Sequence, residues 1–143
     1  MNNAIDLAKE NNITNAFFYN GACETIKYQK EYDKASLMGV LTCIMNDNEA
    51  LVSLKKLYNA LRPGGYLIYK DNSNESNNDY YFFGPRKDYK MIARSKNKIF
   101  NLMKDVGFKI VEEKYFHRLE IETLDKEYDN VKIISLGLLL KKI

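Results

Sequence analysis

Asp71 and His117 are the ionisable residues whose types and positions suit proton transfer or contact with a reacting group. His117 is the only histidine, and imidazole titrates near neutral pH, so it could act as a general base. Its place at the end of a predicted strand, beside Arg118, favours a partly exposed structural histidine instead. Asp71 follows another predicted strand, which puts its carboxylate at the strand's carboxyl end, although Asp-Asn after a strand also forms turns.

A second group of candidates lies between residues 80 and 98. Tyr80 and Tyr81 open the aromatic run YYFF, which could stack on a substrate or form a lid; packing of this segment onto the sheet is the favoured alternative. Arg94 belongs to a basic cluster that could bind an anionic substrate or a phosphate backbone, although such runs more often form a solvated face. The cluster comprises Arg86, Lys87, Lys90, Arg94, Lys96 and Lys98.

Composition narrows the classes of function. The chain has 143 residues, 45% of them hydrophobic, and a net charge of +3, which predicts one domain over residues 1–143 and indicates neither a nucleic-acid nor a membrane partner. The N-terminus lacks the pattern of a signal peptide. Cys23 and Cys43 show no disulfide or metal-ligand spacing, so we expect reduced thiols, no metal and a cytoplasmic protein.

The elements that must position these residues centre on a strand–helix–strand unit between residues 32 and 71. Asn46 and Glu49 have the spacing of a capping box at a helix start. Pro63 stops this helix, and Gly64-Gly65 reverses the chain. Apolar residues at Leu51, Leu54, Tyr58 and Leu61 give the helix one buried face. The strands on either side are predicted at Ala35–Leu41 and Tyr66–Tyr69.

The remaining pattern continues the alternation of strands and helices. We predict a helix over Asn3–Asn11, a strand over Ala16–Tyr19, a loop from Asp71 to Lys90, a helix from the Ser95 cap to Gly107, and an antiparallel strand pair over Phe108–Phe116 and Val131–Leu140. This order indicates an α/β protein with a mostly parallel sheet and a C-terminal antiparallel strand.

Three segments of the chain, in this order and at this spacing along the sequence, resemble the later strands of class I S-adenosylmethionine-dependent methyltransferases. The segments are YDKASLMGVL, LRPGGYLIYKD and VGFKIVEEKYF. The resemblance covers nearly the whole chain. It implies a partial Rossmann-like methyltransferase fold, the C-terminal two-thirds, that lacks the first strand and the glycine-rich loop. It also implies methyl transfer from S-adenosylmethionine to a small-molecule acceptor, a reaction that depends largely on alignment and needs no conspicuous catalytic residue.

The resemblance also assigns binding residues. Asn20, Gly21 and Cys23 would flank the adenine of the cofactor, although Asn-Gly is also a common turn. Residues at the end of the first strand of the unit would line the methionine end, or would be ordinary core. These are Met38, Gly39, Val40 and Leu41. Asp71, Tyr80, Tyr81 and Arg94 are the candidates for acceptor contact.

Two departures from the family pattern bear on activity. None of the seven glycines forms a G-x-G loop, whose missing Cβ atoms let the backbone approach a cofactor. Ala22 stands where the family often has an acidic residue. The strand over Ala35–Leu41 would also have an unpaired edge. We expect a homodimer partner, a separate N-terminal polypeptide or the strand over Ala16–Tyr19 to cover it. The alternative function is a non-catalytic remnant or subunit that binds a partner through this edge.

Overall fold

A computed structural model describes residues 2–84, 86–120 and 132–143. The helices and strands, in chain order, are α1 (Asn2–Glu10), β1 (Tyr32–Met38), α2 (Asp47–Ala60), β2 (Leu61–Asn74), β3 (Tyr80–Phe83), β4 (Lys90–Ser95), α3 (Lys96–Val106), β5 (Phe108–Glu120) and β6 (Lys132–Lys142). Two single-turn 3-10 helices, Cys23–Thr25 and Leu41–Cys43, precede β1 and α2.

The strands form one sheet in the order β3-β4-β2-β6-β5, with β1 paired to β2. The β1 and β2 strands are parallel, as the strand–helix–strand prediction requires, and β2 and β4 are also parallel. The β2–β6, β3–β4 and β5–β6 pairs are antiparallel. The predicted α/β, partial Rossmann-like fold is confirmed, but the sheet is mixed rather than mostly parallel. The difference arises because β6 lies between β2 and β5 and is antiparallel to both, and because the unforeseen hairpin β3–β4 adds a third antiparallel pair.

Local sequence signals set the helix ends. The Asn46 side chain accepts hydrogen bonds from the N–H groups of Asn48 and Glu49 at the start of α2, and Ser95 caps α3 in the same way. Gly107 ends α3 in the left-handed conformation. Helix α2 ends at Ala60, two residues earlier than predicted, because the chain is already extended at Leu61 and pairs there with β1.

The main core lies between one face of the sheet and the helices α2 and α3. Leu54 and Leu61 are fully buried, as predicted, while Leu51 is partly buried against the same core. Alternate residues of the central strands supply the sheet side, because successive side chains of a strand point to opposite faces. These residues include Leu67, Tyr69, Leu136, Leu138 and Leu140.

Two sequence predictions are wrong. Residues Ala16 to Tyr19 form no strand, and Phe17 and Tyr19 are each 77% exposed. The segment therefore does not cover the free edge of β1, which pairs with β2 alone among the described residues. The predicted loop from Asp71 to Lys90 contains the end of β2 and the hairpin strand β3.

Candidate functional site

A groove of about 320 Å³ opens where the parallel strands β1 and β2 end. Its lining brings together three of the predicted site residues, Met38, Gly39 and Asp71, with Lys70, Asn72 and Ser135. Gly39 has a φ of +68°, and a Cβ atom built there would meet no atom within 4 Å. The groove therefore approaches bare backbone at the turn after β1, a position that suits a ligand lying close to the chain.

The turn Leu41–Cys43 connects this groove to the core. Leu41 is 1% exposed and belongs to the core cluster, and Val40 packs against that cluster. Of the four residues assigned to the methionine end, the structure thus places Met38 and Gly39 at the groove and turns Val40 and Leu41 inward. The pKa of the Cys43 thiol is raised, first by burial and then by the Asp71 charge, so this cysteine is a weak nucleophile.

Asp71 is a buried carboxylate at the edge of the groove. It accepts hydrogen bonds from the N–H groups of Thr42, at 3.1 Å, and Asn72, at 2.9 Å. Burial raises the pKa of Asp71 to about 6, against the lowering effects of these hydrogen bonds and of the Arg94 charge. A carboxylate with such a pKa exchanges its proton close to neutral pH and can therefore accept a proton from a bound group.

Arg94 lies inside the protein rather than on the groove. Its side chain is 2% exposed. Nη1 and Nη2 donate to the carbonyl oxygens of Leu41 and Ile44, each at 2.6 Å, and Nε donates to Oδ1 of Asp47 at 2.8 Å. The guanidinium group therefore holds the turn after β1 against the first residue of α2. This geometry favours a positioning role over the predicted acceptor contact.

A small ionic network surrounds Asp47. Lys98 donates to Oδ2 of Asp47 at 2.9 Å and also contacts Asp79. Burial acts to raise the pKa of Asp47, but the hydrogen bonds and charges of Lys98 and Arg94 outweigh it and hold the pKa low. The predicted basic cluster is thus divided, because Arg94 and Lys98 are engaged in internal ion pairs while Arg86, Lys87 and Lys90 are exposed.

The two tyrosines predicted to contact an acceptor have different environments. Tyr80 is buried, and its hydroxyl oxygen accepts a hydrogen bond from Oγ of Ser76 at 3.1 Å. Tyr81 is 45% exposed on the other side of β3. Neither lines the groove beside Gly39.

The residues assigned to the adenine end lie in a separate hollow of about 520 Å³. Asn20, Gly21 and Cys23 contribute to its wall, together with residues from Tyr19 to Tyr28. Cys23 is half-buried beside α2 and its thiol donates to the Ser53 carbonyl at 4.0 Å. The pKa of this thiol is raised overall, because burial and the Glu24 charge outweigh the lowering effect of the hydrogen bond to Ser53. The two hollows share no lining residue.

The other sequence predictions concern His117, metals and membranes. His117 lies in β5, and its side chain is outside the described residues. Within the described ranges, no group of three or more His, Cys, Asp or Glu residues is placed to hold a metal ion. No helix in the part of the chain that the structure describes is long and apolar enough to cross a membrane.

Sequence reasoning missed Thr42, Asn72 and Ser135. Asn72 was detectable, because it follows Asp71 at the carboxyl end of the strand. Thr42 and Ser135 carry no local signal, since their positions depend on how the turn after β1 and strand β6 meet β2.

Comparison with solved structures identifies the fold. The chain aligns over 86% of its length with a SAM-dependent methyltransferase from Methanosarcina mazei, with 15% identity and a TM-score of 0.66. It aligns over 97% with 1,6-didemethyltoxoflavin-N1-methyltransferase from Burkholderia thailandensis, solved with bound 1,6-didemethyltoxoflavin and S-adenosylhomocysteine, with 14% identity and a TM-score of 0.68. A third match, the cyclase SpnF, has 14% identity over 97% of this chain and a TM-score of 0.71.

These similarities show that the chain has the partial fold of class I SAM-dependent methyltransferases, as the sequence predicted. The chain spans 65%, 56% and 60% of the lengths of these three proteins. No protein-family model matches the sequence, and comparison with curated proteins gives no match.

Proposed function

We propose that this chain forms part of an S-adenosylmethionine-dependent methyltransferase that acts on a small-molecule acceptor. The observation that carries the proposal is the groove at the carboxyl ends of two adjacent parallel strands, with Gly39 presenting backbone to it. Open α/β sheets bind their ligands at such ends. The fold adds support, because a protein with the same fold is named as a methyltransferase with a small-molecule substrate.

In this proposal, Met38 and Gly39 contact the methionine end of the cofactor, and Asn20, Gly21 and Cys23 contact the adenine. Asp71 accepts a proton from the acceptor, because its pKa of about 6 leaves it ionised but basic at neutral pH. Arg94 holds the intervening turn. The strand beside β1 and the glycine loop come from outside residues 1–143. Residues 1–143 form one domain of a cytoplasmic protein.

The test is an NMR titration of the labelled chain with S-adenosylmethionine. We expect binding in about the millimolar range, since the glycine loop is missing, with amide shift changes at Gly39 and Asp71. Gly39→Leu should abolish them by filling the groove. Gly64→Leu is the matched control, because Gly64 also has a positive φ, +80°, and open space around its Cβ position. Absence of shift changes at millimolar cofactor would contradict cofactor binding by this chain.

A second candidate function is that of a non-catalytic subunit. The free edge of β1 favours it, because unpaired strand edges accept a further strand from another chain. A fold is also compatible with more than one chemistry, and one protein of the same fold is named as a cyclase. Sedimentation velocity tests this candidate. A monomer that binds cofactor would exclude an obligate homodimer.

A further inference from the structure

Strand β3 is an edge of the sheet, because among the described residues it pairs with β4 alone. The N–H of Gly84 donates to the Tyr89 carbonyl at 2.9 Å, which fixes the phase of hydrogen bonding along the hairpin. In an antiparallel pair, hydrogen-bonded residues alternate with residues whose N–H and C=O groups point away from the partner strand. The backbone groups of Tyr81 and Phe83 therefore point outward from the edge of the sheet.

The side chains of the same two residues are exposed. Tyr81 is 45% and Phe83 42% exposed, whereas Tyr80 and Phe82, on the other face of the strand, are buried. Tyr81 and Phe83 lie two residues apart in a strand, a distance of about 7 Å, so they form a small aromatic surface beside their outward backbone groups. Strand β3 has no charge, proline or register shift that would discourage pairing at its edge.

The tip of the hairpin is an ordered turn. The N–H of Lys87 donates to the Gly84 carbonyl at 2.8 Å. The ring of Tyr89 lies directly over Gly84, because a Cβ atom built on that glycine would be 2.3 Å from Cζ of the ring. The tip therefore holds its side chains in a fixed position relative to the edge of β3.

Three cations lie at this tip, and we call them the tip cations: Arg86, Lys87 and Lys90. All three are exposed, and none is among the ion pairs found in the part of the chain that the structure describes. Lys90 pairs with Phe83 across the hairpin, which places both side chains on the same face. Asp88 is the one acidic residue between them, so the tip keeps a net positive charge.

An extended peptide segment fits these features better than other ligands. A strand can bond to the outward backbone groups of Tyr81 and Phe83, whereas a helix has no free backbone groups to offer. A nucleic acid would use the tip cations but leave those backbone groups unused. In a second copy of the chain, the acidic residue at the base of β3 is Asp79, and its carboxylate already binds Lys98 and the N–H of Ser95.

We infer that β3 binds an extended acidic segment of another polypeptide. The segment adds a strand to the sheet, covers Tyr81 and Phe83 with an apolar side chain, and pairs its carboxylates with the tip cations. This surface shares no residue with the groove beside Gly39 or with the hollow around Cys23. It also lies on a different strand from the free edge of β1, so the inference does not depend on methyl transfer.

Two labelled peptides test the inference by fluorescence anisotropy with the intact chain. Both have an alternating Val-Thr centre of about five residues, and one has Glu and the other Lys at both ends. We expect the Glu-flanked peptide to bind at least about tenfold more tightly, with an affinity that falls as salt rises. Equal affinities for the two peptides would overturn the inference.

Amide hydrogen exchange tests whether the peptide binds as a strand. At saturating Glu-flanked peptide, the amides of Tyr81 and Phe83 should exchange more slowly than in the free chain, because each gains a carbonyl acceptor. The amide of Phe82 faces β4 and should not change. Unchanged exchange of both Tyr81 and Phe83 in the bound chain would exclude strand addition at β3.

Charge reversal tests the tip cations. Arg86→Glu/Lys90→Glu should reverse the preference, so that the Lys-flanked peptide binds more tightly; this gain also shows that the variant is folded. The matched control is Lys55→Glu/Lys104→Glu, which makes the same change of charge on the exposed sides of α2 and α3 and should leave the preference unchanged. An unchanged preference in the first variant, or an equal reversal in the control, would contradict the inference.

A proline at the edge tests the backbone contacts. Tyr81→Pro removes an N–H that the hairpin does not use and should weaken binding of the Glu-flanked peptide at least about tenfold. Tyr81→Val keeps that N–H and should weaken it less, and Met38→Pro, the same change on the edge of β1, should leave it unchanged. Tighter binding of single-stranded DNA than of this peptide would reject a peptide strand as the occupant, as would a dimer that Tyr81→Pro dissociates.

Discussion

The backbone N–H of Thr42 donates to Oδ2 of Asp71 at 3.1 Å, and this bond joins the turn after β1 to the end of β2. The Thr42 hydroxyl donates to the Ile92 carbonyl at 2.9 Å and accepts from the Asn72 amide at 3.3 Å. The turn after β1 and strands β2 and β4 are therefore connected through three side chains, those of Thr42, Asp71 and Asn72. Asp71 and Asn72 of this cluster also line the groove beside Gly39, so we expect the groove to change shape when the cluster is broken.

The charge of Asp71 should make stability depend on pH. Because burial raises its pKa from 3.8 to about 6, the folded state binds more protons than the unfolded state between these values. Stability therefore falls as pH rises through this window, by up to about 3 kcal/mol. Asp71→Asn should remove this fall. Urea unfolding of the wild-type protein and of Asp71→Asn between pH 4 and 7 measures the stability of each. Stability curves that run parallel across this range would contradict the prediction.

Arg94→Met should destabilise the protein by about 3 kcal/mol, because it removes three charge-assisted hydrogen bonds, to the carbonyl groups of Leu41 and Ile44 and to Asp47, and leaves Asp47 with Lys98 alone. Arg62→Met is the matched control. Arg62 also pairs with a carboxylate, that of Asp33 at 2.9 Å, but its side chain is 52% exposed, so less than about 1 kcal/mol should be lost. Denaturant unfolding compares the two. Similar losses would mean that the buried contacts contribute little.

Removing the buried hydroxyl groups of Thr42 and Ser53 should have opposite effects on the stability of the protein. Thr42→Val keeps the shape but leaves the Ile92 carbonyl without its donor, so we expect a loss of about 1–3 kcal/mol. The hydroxyl of Ser53 is buried with no hydrogen-bond partner among the described residues. Ser53→Ala should therefore be neutral or stabilising by a few tenths of a kcal/mol. Thermal unfolding measures both, and a large loss in Ser53→Ala would indicate a partner that the structure lacks.

The free edge of β1 should be visible in amide hydrogen exchange. Gly39 N–H donates to the Lys70 carbonyl of β2, and amides along a strand point alternately to its two sides. Leu37 N–H therefore faces β2, while the N–H groups of Ser36 and Met38 face the free edge. In the monomer, Leu37 should be protected and Met38 should exchange quickly.

A proline variant tests what the edge binds. Met38→Pro removes an N–H that β1 does not use within the chain and blocks addition of a strand. It should abolish any dimer that forms through the edge without unfolding the protein. Persistence of the dimer would place the interface elsewhere.

Local sequence signals were sufficient to predict those elements whose structure depends on residues close together in the chain. The Asn46, Ser95 and Gly107 caps and the β1–α2–β2 unit follow from spacing and residue type, and all are present. The strand prediction over Ala16–Tyr19 failed because aromatic residues have strand propensity but here lack a strand to pair with.

The site was less predictable because it is polar and assembled from distant segments. The end of β2, Asp71-Asn72-Ser73-Asn74, has no apolar alternation, so its strand conformation follows only from pairing with β6 and β4. Arg94 had the same sequence signature as its exposed basic neighbours. Its burial depends on the carbonyl groups of Leu41 and Ile44, about fifty positions away in the chain, which no local pattern shows.

The hairpin β3–β4 is held to the sheet at its base. There, Ser73 and Asn74 donate to the carbonyl groups of Arg94 and Ala93, whereas residues 86–90 at the opposite end are exposed. Because few contacts constrain that end, insertions and deletions should accumulate there over evolution while the base stays constant. The tip of the hairpin can thus change in length and sequence without disturbing the turn that Arg94 supports.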